Sequence, residues 1–228
     1  MATPPDLTIA VVLYDEMTTL DVVGPMEMLR FLPGSRLSFV AERVGPIETD
    51  TGVLTLGATV TFDDDLAPDV VVVPGGPGTK AAMASPLIGW LRRVHPTTRW
   101  TTSVCSGSLL LGAAGLLEGA RATSHFAVAE HLDRFGAVAS SERVVIDHDR
   151  HIITAAGVSS GIDMALMLAE LLSDATTAQA IQLVTEYDPK PPHASGSLAS
   201  ASAATVARAI EIGTPHGAIP AGWTPRLH

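Results

Sequence analysis

Cys105 is the single cysteine of the chain. Its neighbours, Val104-Cys105-Ser106-Gly107-Ser108, place it between a β-rich stretch at 99–104 and an apolar helical stretch at 109–116. A cysteine at the start of a helix meets backbone N–H groups and the positive end of the helix dipole, which favour the nucleophilic thiolate. A lone cysteine is often no more than a small buried hydrophobe. Here Ser106 and Gly107 leave room for a substrate. The amides of Ser106 and of Gly76, in Pro74-Gly75-Gly76-Pro77-Gly78, are candidates for an oxyanion hole. A nucleophile elbow, a sharp strand-to-helix turn carrying the reactive side chain, is therefore predicted at Cys105.

Asp21, in Thr19-Leu20-Asp21-Val22-Val23-Gly24-Pro25, follows the first strand closely enough for its carboxylate to reach the same edge of a sheet. A carboxyl beside a thiolate has its pKa raised by like charge and can act as a general acid, the two titrating as a coupled pair. A helix cap is the structural alternative for Asp21. Among eight histidines, His125 is the candidate for a Cys/His dyad, although spacing does not place it within reach and a structural role at a helix start is the alternative. His148 and His151 share a predicted turn without a supporting Cys or Glu pattern, so no metal site is expected.

The elements that must position these residues alternate. Residues 7–13 read as a buried strand, 20–32 as a helix, 36–43 as a second strand, and 52–62 as a hairpin around Gly57. Residues 69–73 form a fully apolar strand running into the glycine-rich loop, and 80–94 a helix. Beyond the elbow, Ser124 is a cap for a helix over 125–134. Residues 143–146 and 151–154 pair across a turn, 162–172 and 175–187 are helices, the second capped by Asp174, and 201–212 forms a last helix. Strands alternating with helices imply a doubly wound α/β fold with a mostly parallel sheet and helices on both faces. Ligands then collect outside the carboxyl ends of the strands, where the Gly75–Gly76 loop and Cys105 both fall.

Composition narrows the classes. With 228 residues, one domain spanning 1–228 is expected, its core at about 7–187 and a tail at 188–228 that is loosely ordered from 214. The chain is 46% hydrophobic but only 4% aromatic, so the core is aliphatic. A net charge of -10 without clustered Lys and Arg argues against a nucleic-acid partner. No apolar run is long enough for a bilayer, and no secretory signal is visible, so a cytoplasmic protein is expected.

The ordered set Leu20-Asp21-Val22-Val23-Gly24-Pro25, Val73-Pro74-Gly75-Gly76, Val104-Cys105-Ser106-Gly107-Ser108 and Leu111-Gly112-Ala113-Ala114-Gly115-Leu116-Leu117 resembles the ThiJ/PfpI family of the class I glutamine amidotransferase-like superfamily. The resemblance runs over about 7–187. Within the family it is most similar to the isocyanide hydratases, through the aspartate at 21, Gly161-Ile162-Asp163-Met164-Ala165-Leu166, and Glu186-Tyr187-Asp188-Pro189-Lys190-Pro191-Pro192. The resemblance implies a flavodoxin-like fold and a homodimer with a cofactor-free site. In that site Cys105 is the nucleophile and Asp21 its acid partner, and the reaction hydrates an isocyanide to an N-formamide through a covalent thioimidate. Two departures, Ser106 where the hydratases carry threonine and the Ala155-Ala156-Gly157-Val158-Ser159-Ser160 segment before the Ile-Asp helix, fall where the pocket is expected and bear on substrate choice.

Two other functions fit the same residues. Attack of Cys105 on a reactive carbonyl such as a glyoxal would use His125 and favour glutamate over Asp21. A non-enzymatic sensor domain is the third, although the forty or so residues after Tyr187 are too short and too weakly basic for a helix-turn-helix region.

Overall fold

The computed structural model describes residues 7–225. Strand β1 (Leu7–Val12) leads to α1 (Thr19–Leu29) and β2 (Ser35–Ala41). A two-stranded excursion, β3 (Gly45–Glu48) and β4 (Thr55–Ala58), precedes β5 (Val60–Thr61) and β6 (Val70–Val73). Helices α2 (Thr79–Ala82) and α3 (Leu87–Val94) connect to β7 (Trp100–Val104) and α4 (Gly107–Ala113). The short strands β8 (Arg121–Ala122) and β9 (Val138–Ala139) follow, then β10 (Val144–Asp147), β11 (Ile152–Ala155), α5 (Ser160–Leu172), α6 (Ala175–Val184) and α7 (Ala203–Gly213).

The main sheet has the order β10-β11-β7-β6-β1-β2-β5, parallel throughout except for β10, which pairs antiparallel with β11. This is the doubly wound, flavodoxin-like α/β arrangement expected of the alternating pattern. Val70 to Val73 are all buried, as a central parallel strand covered on both faces requires. Their alternation splits the core: Val70 and Val72 pack with α1, α5 and α6, whereas Val71 and Val73 pack with α2, α3 and α4.

Several elements differ from expectation for identifiable reasons. The hairpin does not turn at Gly57. It turns between β3 and β4, where Gly52 has φ +66°, and β5 crosses over to edge the main sheet beside β2. Ser85-Pro86 divides the predicted helix at 80–94 into α2 and α3, because proline cannot supply the amide that would continue the helix. Residues 129–135 form a 3₁₀ turn rather than an α-helix, and Ser124 does not cap it: its hydroxyl donates to the Cys105 carbonyl. Asp174 does cap α6, accepting from Thr177 N–H, and Ser202 caps α7. The described part of the C-terminal segment, 214–225, has contacts to the body of the fold. Its Gly217 lies against Pro77, and Trp223 meets the Phe126 ring edge-on at 5.4 Å.

Candidate active site

Cys105 follows β7 directly, and the turn into α4 holds it at φ +58°, a left-handed conformation costly for any residue with a Cβ. The surroundings fix it there. Its N–H is shared between the carbonyls of Ala155 and Ala156, and its own carbonyl accepts from the Ser124 and Ser108 hydroxyls. Gly107 makes the elbow sterically feasible, since a Cβ there would stand 2.3 Å from the Val73 carbonyl oxygen. The side chain is thereby driven toward the carboxyl edge of the sheet.

Asp21 sits in the first turn of α1 and is fully buried. One carboxylate oxygen, Oδ2, accepts from Gly75 N–H at 2.9 Å. The other has no hydrogen-bond partner, and the Cys105 thiol acts on the carboxyl as a neighbouring titratable group. Burial raises the Asp21 pKa from 3.8 to about 7, with the Gly75 amide opposing the shift, the nearby Asp50 charge adding to it and the thiol opposing it slightly.

Burial also pushes the Cys105 thiol well above its ordinary value, and the Asp21 carboxylate adds to the rise. The Val158 and Ser106 amides and the Ser106 hydroxyl stabilise the thiolate in the opposite direction without prevailing. The low thiol pKa expected from a helix start is therefore absent. Helix α4 is only seven residues long, and desolvation outweighs what its first amides supply.

The glycine-rich loop is packed against the elbow. A Cβ on Gly75 would lie 2.4 Å from Ser106 nitrogen, and Gly76, at φ +145°, approaches the backbone of Glu16 and Thr18. As folded, Gly75 N–H is held by Asp21, and Gly76 N–H donates to Ser106 Oγ at 2.9 Å. Ser106 Oγ also contacts Thr79 Oγ1 at 2.8 Å, and Thr79 meets the Tyr14 hydroxyl at 3.2 Å. An oxyanion role for Gly76 thus requires the Ser106 hydroxyl to turn away. The amides already directed at the sulfur are those of Ser106 and Val158.

His125 is not joined to Cys105 by a hydrogen bond among the described residues. Its Nδ1 accepts from Ala127 N–H at 3.4 Å, and its ring lies 4.3 Å from the Phe126 ring. Gly157 supports this ring, since a Cβ there would come within 2.6 Å of His125 Cδ2. Burial lowers the His125 pKa to about 4, which keeps the imidazole neutral and a poor base. Among the described residues no three metal-ligating side chains cluster.

Sequence reasoning missed Tyr14, Thr79 and Val158. Tyr14 and Thr79 stand just past β1 and the glycine loop, so the rule that sites gather at carboxyl strand ends was the available signal. Val158 contributes a main-chain amide from a residue at φ +37°, for which the side chain gives no signal. The C-terminal segment covers this edge through Gly217 on Pro77 and Trp223 on Phe126. An apolar hollow of about 90 Å³ between Phe126, Leu198, Val206, Ile219 and Trp223 lies within that cover. No helix among the described residues is long and apolar enough to cross a membrane.

Comparisons with known proteins identify the family. The chain is 40% identical to an isonitrile hydratase of Pseudomonas putida over 210 residues, 92% of this chain and 91% of that one. It superposes on a ThiJ/PfpI family protein of Pseudomonas syringae with a TM-score of 0.87 at 40% identity, covering 93% of this chain and 88% of the other. A glutathione-independent glyoxalase of Caenorhabditis elegans is 30% identical over 46% of this chain and 55% of its own length. The model of the DJ-1/PfpI family matches residues 7–171, the whole sheet and its elbow, and the chain belongs to that family.

Proposed function

We propose that the protein hydrates an isocyanide to the corresponding N-formamide, with Cys105 as nucleophile and Asp21 as the group that moves the proton. The observation that carries this reading is the pairing of a buried thiol with a buried carboxyl held near neutrality, in a chain similar over nearly its full length to an isonitrile hydratase. The hydratase reading outweighs carbonyl chemistry because His125 is held neutral and makes no hydrogen bond to the thiol among the described residues, and because the glyoxalase similarity covers under half of the chain.

The proton inventory determines the order of steps. Near pH 7 the thiol is protonated and Asp21 is about half ionised, so the reactive state of the pair holds one proton. As sulfur attacks the terminal isocyanide carbon, its proton passes to Asp21 and from there to that carbon. A C–S and a C–H bond form, leaving R–N=CH–S–Cys105 and a carboxylate. Asp21 then takes a proton from water as the hydroxyl adds to the same carbon, and delivers it to nitrogen. The C–S bond breaks as the hydroxyl proton returns through Asp21 to sulfur, releasing R–NH–CHO and the resting thiol. The Ser106 and Val158 amides stabilise sulfur whenever it bears charge. No step calls on a cofactor.

The family resemblance also supports a cytoplasmic homodimer of one-domain subunits. Leu183 and Val184, 77% and 63% exposed at the end of α6, are apolar surface available to a second copy. The reaction is tested with cyclohexyl and p-nitrophenyl isocyanide, following N-formamide by chromatography, alongside methylglyoxal followed as lactate. Formamide from the wild-type protein and none from Cys105→Ala is the expected result. Lactate without formamide would transfer the site to carbonyl chemistry.

A further inference from the structure

The β3–β4 hairpin stands outside the main sheet, yet it is fastened firmly beside the site. Met17 and Thr49 form an isolated parallel bridge, Glu16 N–H donates to the Glu48 carbonyl at 3.0 Å, and Asp50 N–H donates to the Met17 carbonyl at 3.0 Å. Arg43 and Glu48 N–H both bond the Asp15 carboxylate, tying the hairpin's other end to the segment after β1. This places Asp50 at the amino end of α1. There Thr18 makes no side-chain cap, and Thr19 N–H instead reaches Asp50 Oδ1 at 3.4 Å. Asp21 lies in that same first turn.

We propose that Asp50 is a positioning residue for the Cys105–Asp21 pair: the hairpin brings its carboxylate to the start of α1, where it caps the helix and its negative charge opposes loss of the proton the pair shares. The titratable groups facing Asp21 are Cys105 from the elbow, Tyr14 from beyond β1 and Asp50 from the hairpin. Of these Asp50 alone is exposed, and it reaches the first turn of α1 from the hairpin rather than from the core. A formal negative charge beside a buried carboxyl disfavours its ionisation, adding to burial in the same direction. The cap and the charge are separable, because asparagine keeps the acceptor oxygen for Thr19 N–H and removes only the charge.

The inference rests on the pairing of Cys105 with Asp21 and not on the substrate. Cys105 is the chain's one cysteine, so its alkylation by iodoacetamide reports the pair directly. The rate is measured against pH for wild type, Asp50→Asn and Asp50→Ala at low salt and at about 1 M salt. In Asp50→Asn at low salt the rise in rate should move to lower pH by about half a unit, and high salt should shrink the difference, since Asp50 is exposed. Asp50→Ala should show the same displacement together with a lower melting temperature than Asp50→Asn. A pH profile identical in wild type and Asp50→Asn at low salt would overturn the proposal, as would a displacement that salt leaves untouched. Failure to form a formamide while the displacement appears would count against the substrate and not against Asp50.

Discussion

Replacing Asp21 by asparagine should lower turnover by roughly 10²- to 10⁴-fold, the usual contribution of a positioned proton-transfer group, and should also make the protein more stable at pH 8. The two effects share a cause. The Asp21 pKa is raised from 3.8 to about 7 in the folded chain, so the folded state binds more protons than the unfolded state between those values. Its contribution is fully favourable below about pH 4 and is lost as pH rises through 7. The loss amounts to at most about 4 kcal/mol, taking about 1.4 kcal/mol per unit. Asparagine retains an acceptor for Gly75 N–H and carries no such penalty. Melting temperatures should therefore be similar at pH 4.5 and favour Asp21→Asn increasingly up to pH 8. Parallel curves would mean that the carboxyl is not buried in its ionised form. The same variant should delete the step near neutrality from the pH profile of Cys105 alkylation, leaving only the rise of the isolated thiol at alkaline pH.

Gly107→Ala should be among the most damaging conservative substitutions in the chain. Its Cβ would meet the Val73 carbonyl oxygen at 2.3 Å and the Pro74 carbonyl oxygen at 2.8 Å, both backbone atoms at the end of a central strand. Relief requires α4 to move away from β6, and with it Cys105. Overpacking against backbone of this kind costs about 3 kcal/mol or more, equivalent to a melting temperature lower by roughly 6–12 °C for a chain of this length. Gly89→Ala is the control. Gly89 is an exposed helix residue with nothing within 4 Å of a Cβ, so alanine there should stabilise by about 0.5–1 kcal/mol. Thermal unfolding that does not separate the two variants would contradict the steric account of the elbow.

The parts of this site that were legible in the sequence are those that chemistry writes into side-chain type. A single cysteine between a β-rich run and Ser106-Gly107, a Gly75-Gly76 pair after four valines, and an acidic residue soon after the first strand all converge at one sheet edge once the strands are parallel. The sheet itself was readable because buried parallel strands are apolar throughout, as Val70–Val73 shows. What was not legible depends on burial and on main-chain direction. The thiol pKa rises because Cys105 is desolvated beside Asp21, and neither fact follows from its place at a helix start. The Val158 amide belongs to the backbone. The hairpin was placed around Gly57 because alternating Thr and apolar residues run through it, whereas the actual turn uses Gly52 and sends β4 back to β3. Ser124 reads as a helix cap by type, and only the fold shows that its hydroxyl donates to the Cys105 carbonyl instead.

The most direct test of the central claim, that Cys105 forms a covalent bond to the substrate carbon, is the intact mass of protein quenched with acid during steady-state turnover of an isocyanide. A gain equal to the mass of one isocyanide, located by proteolysis on the peptide that contains Cys105 and absent from Cys105→Ala, is the result predicted here. Steady formamide production by Cys105→Ala at the wild-type rate would contradict it.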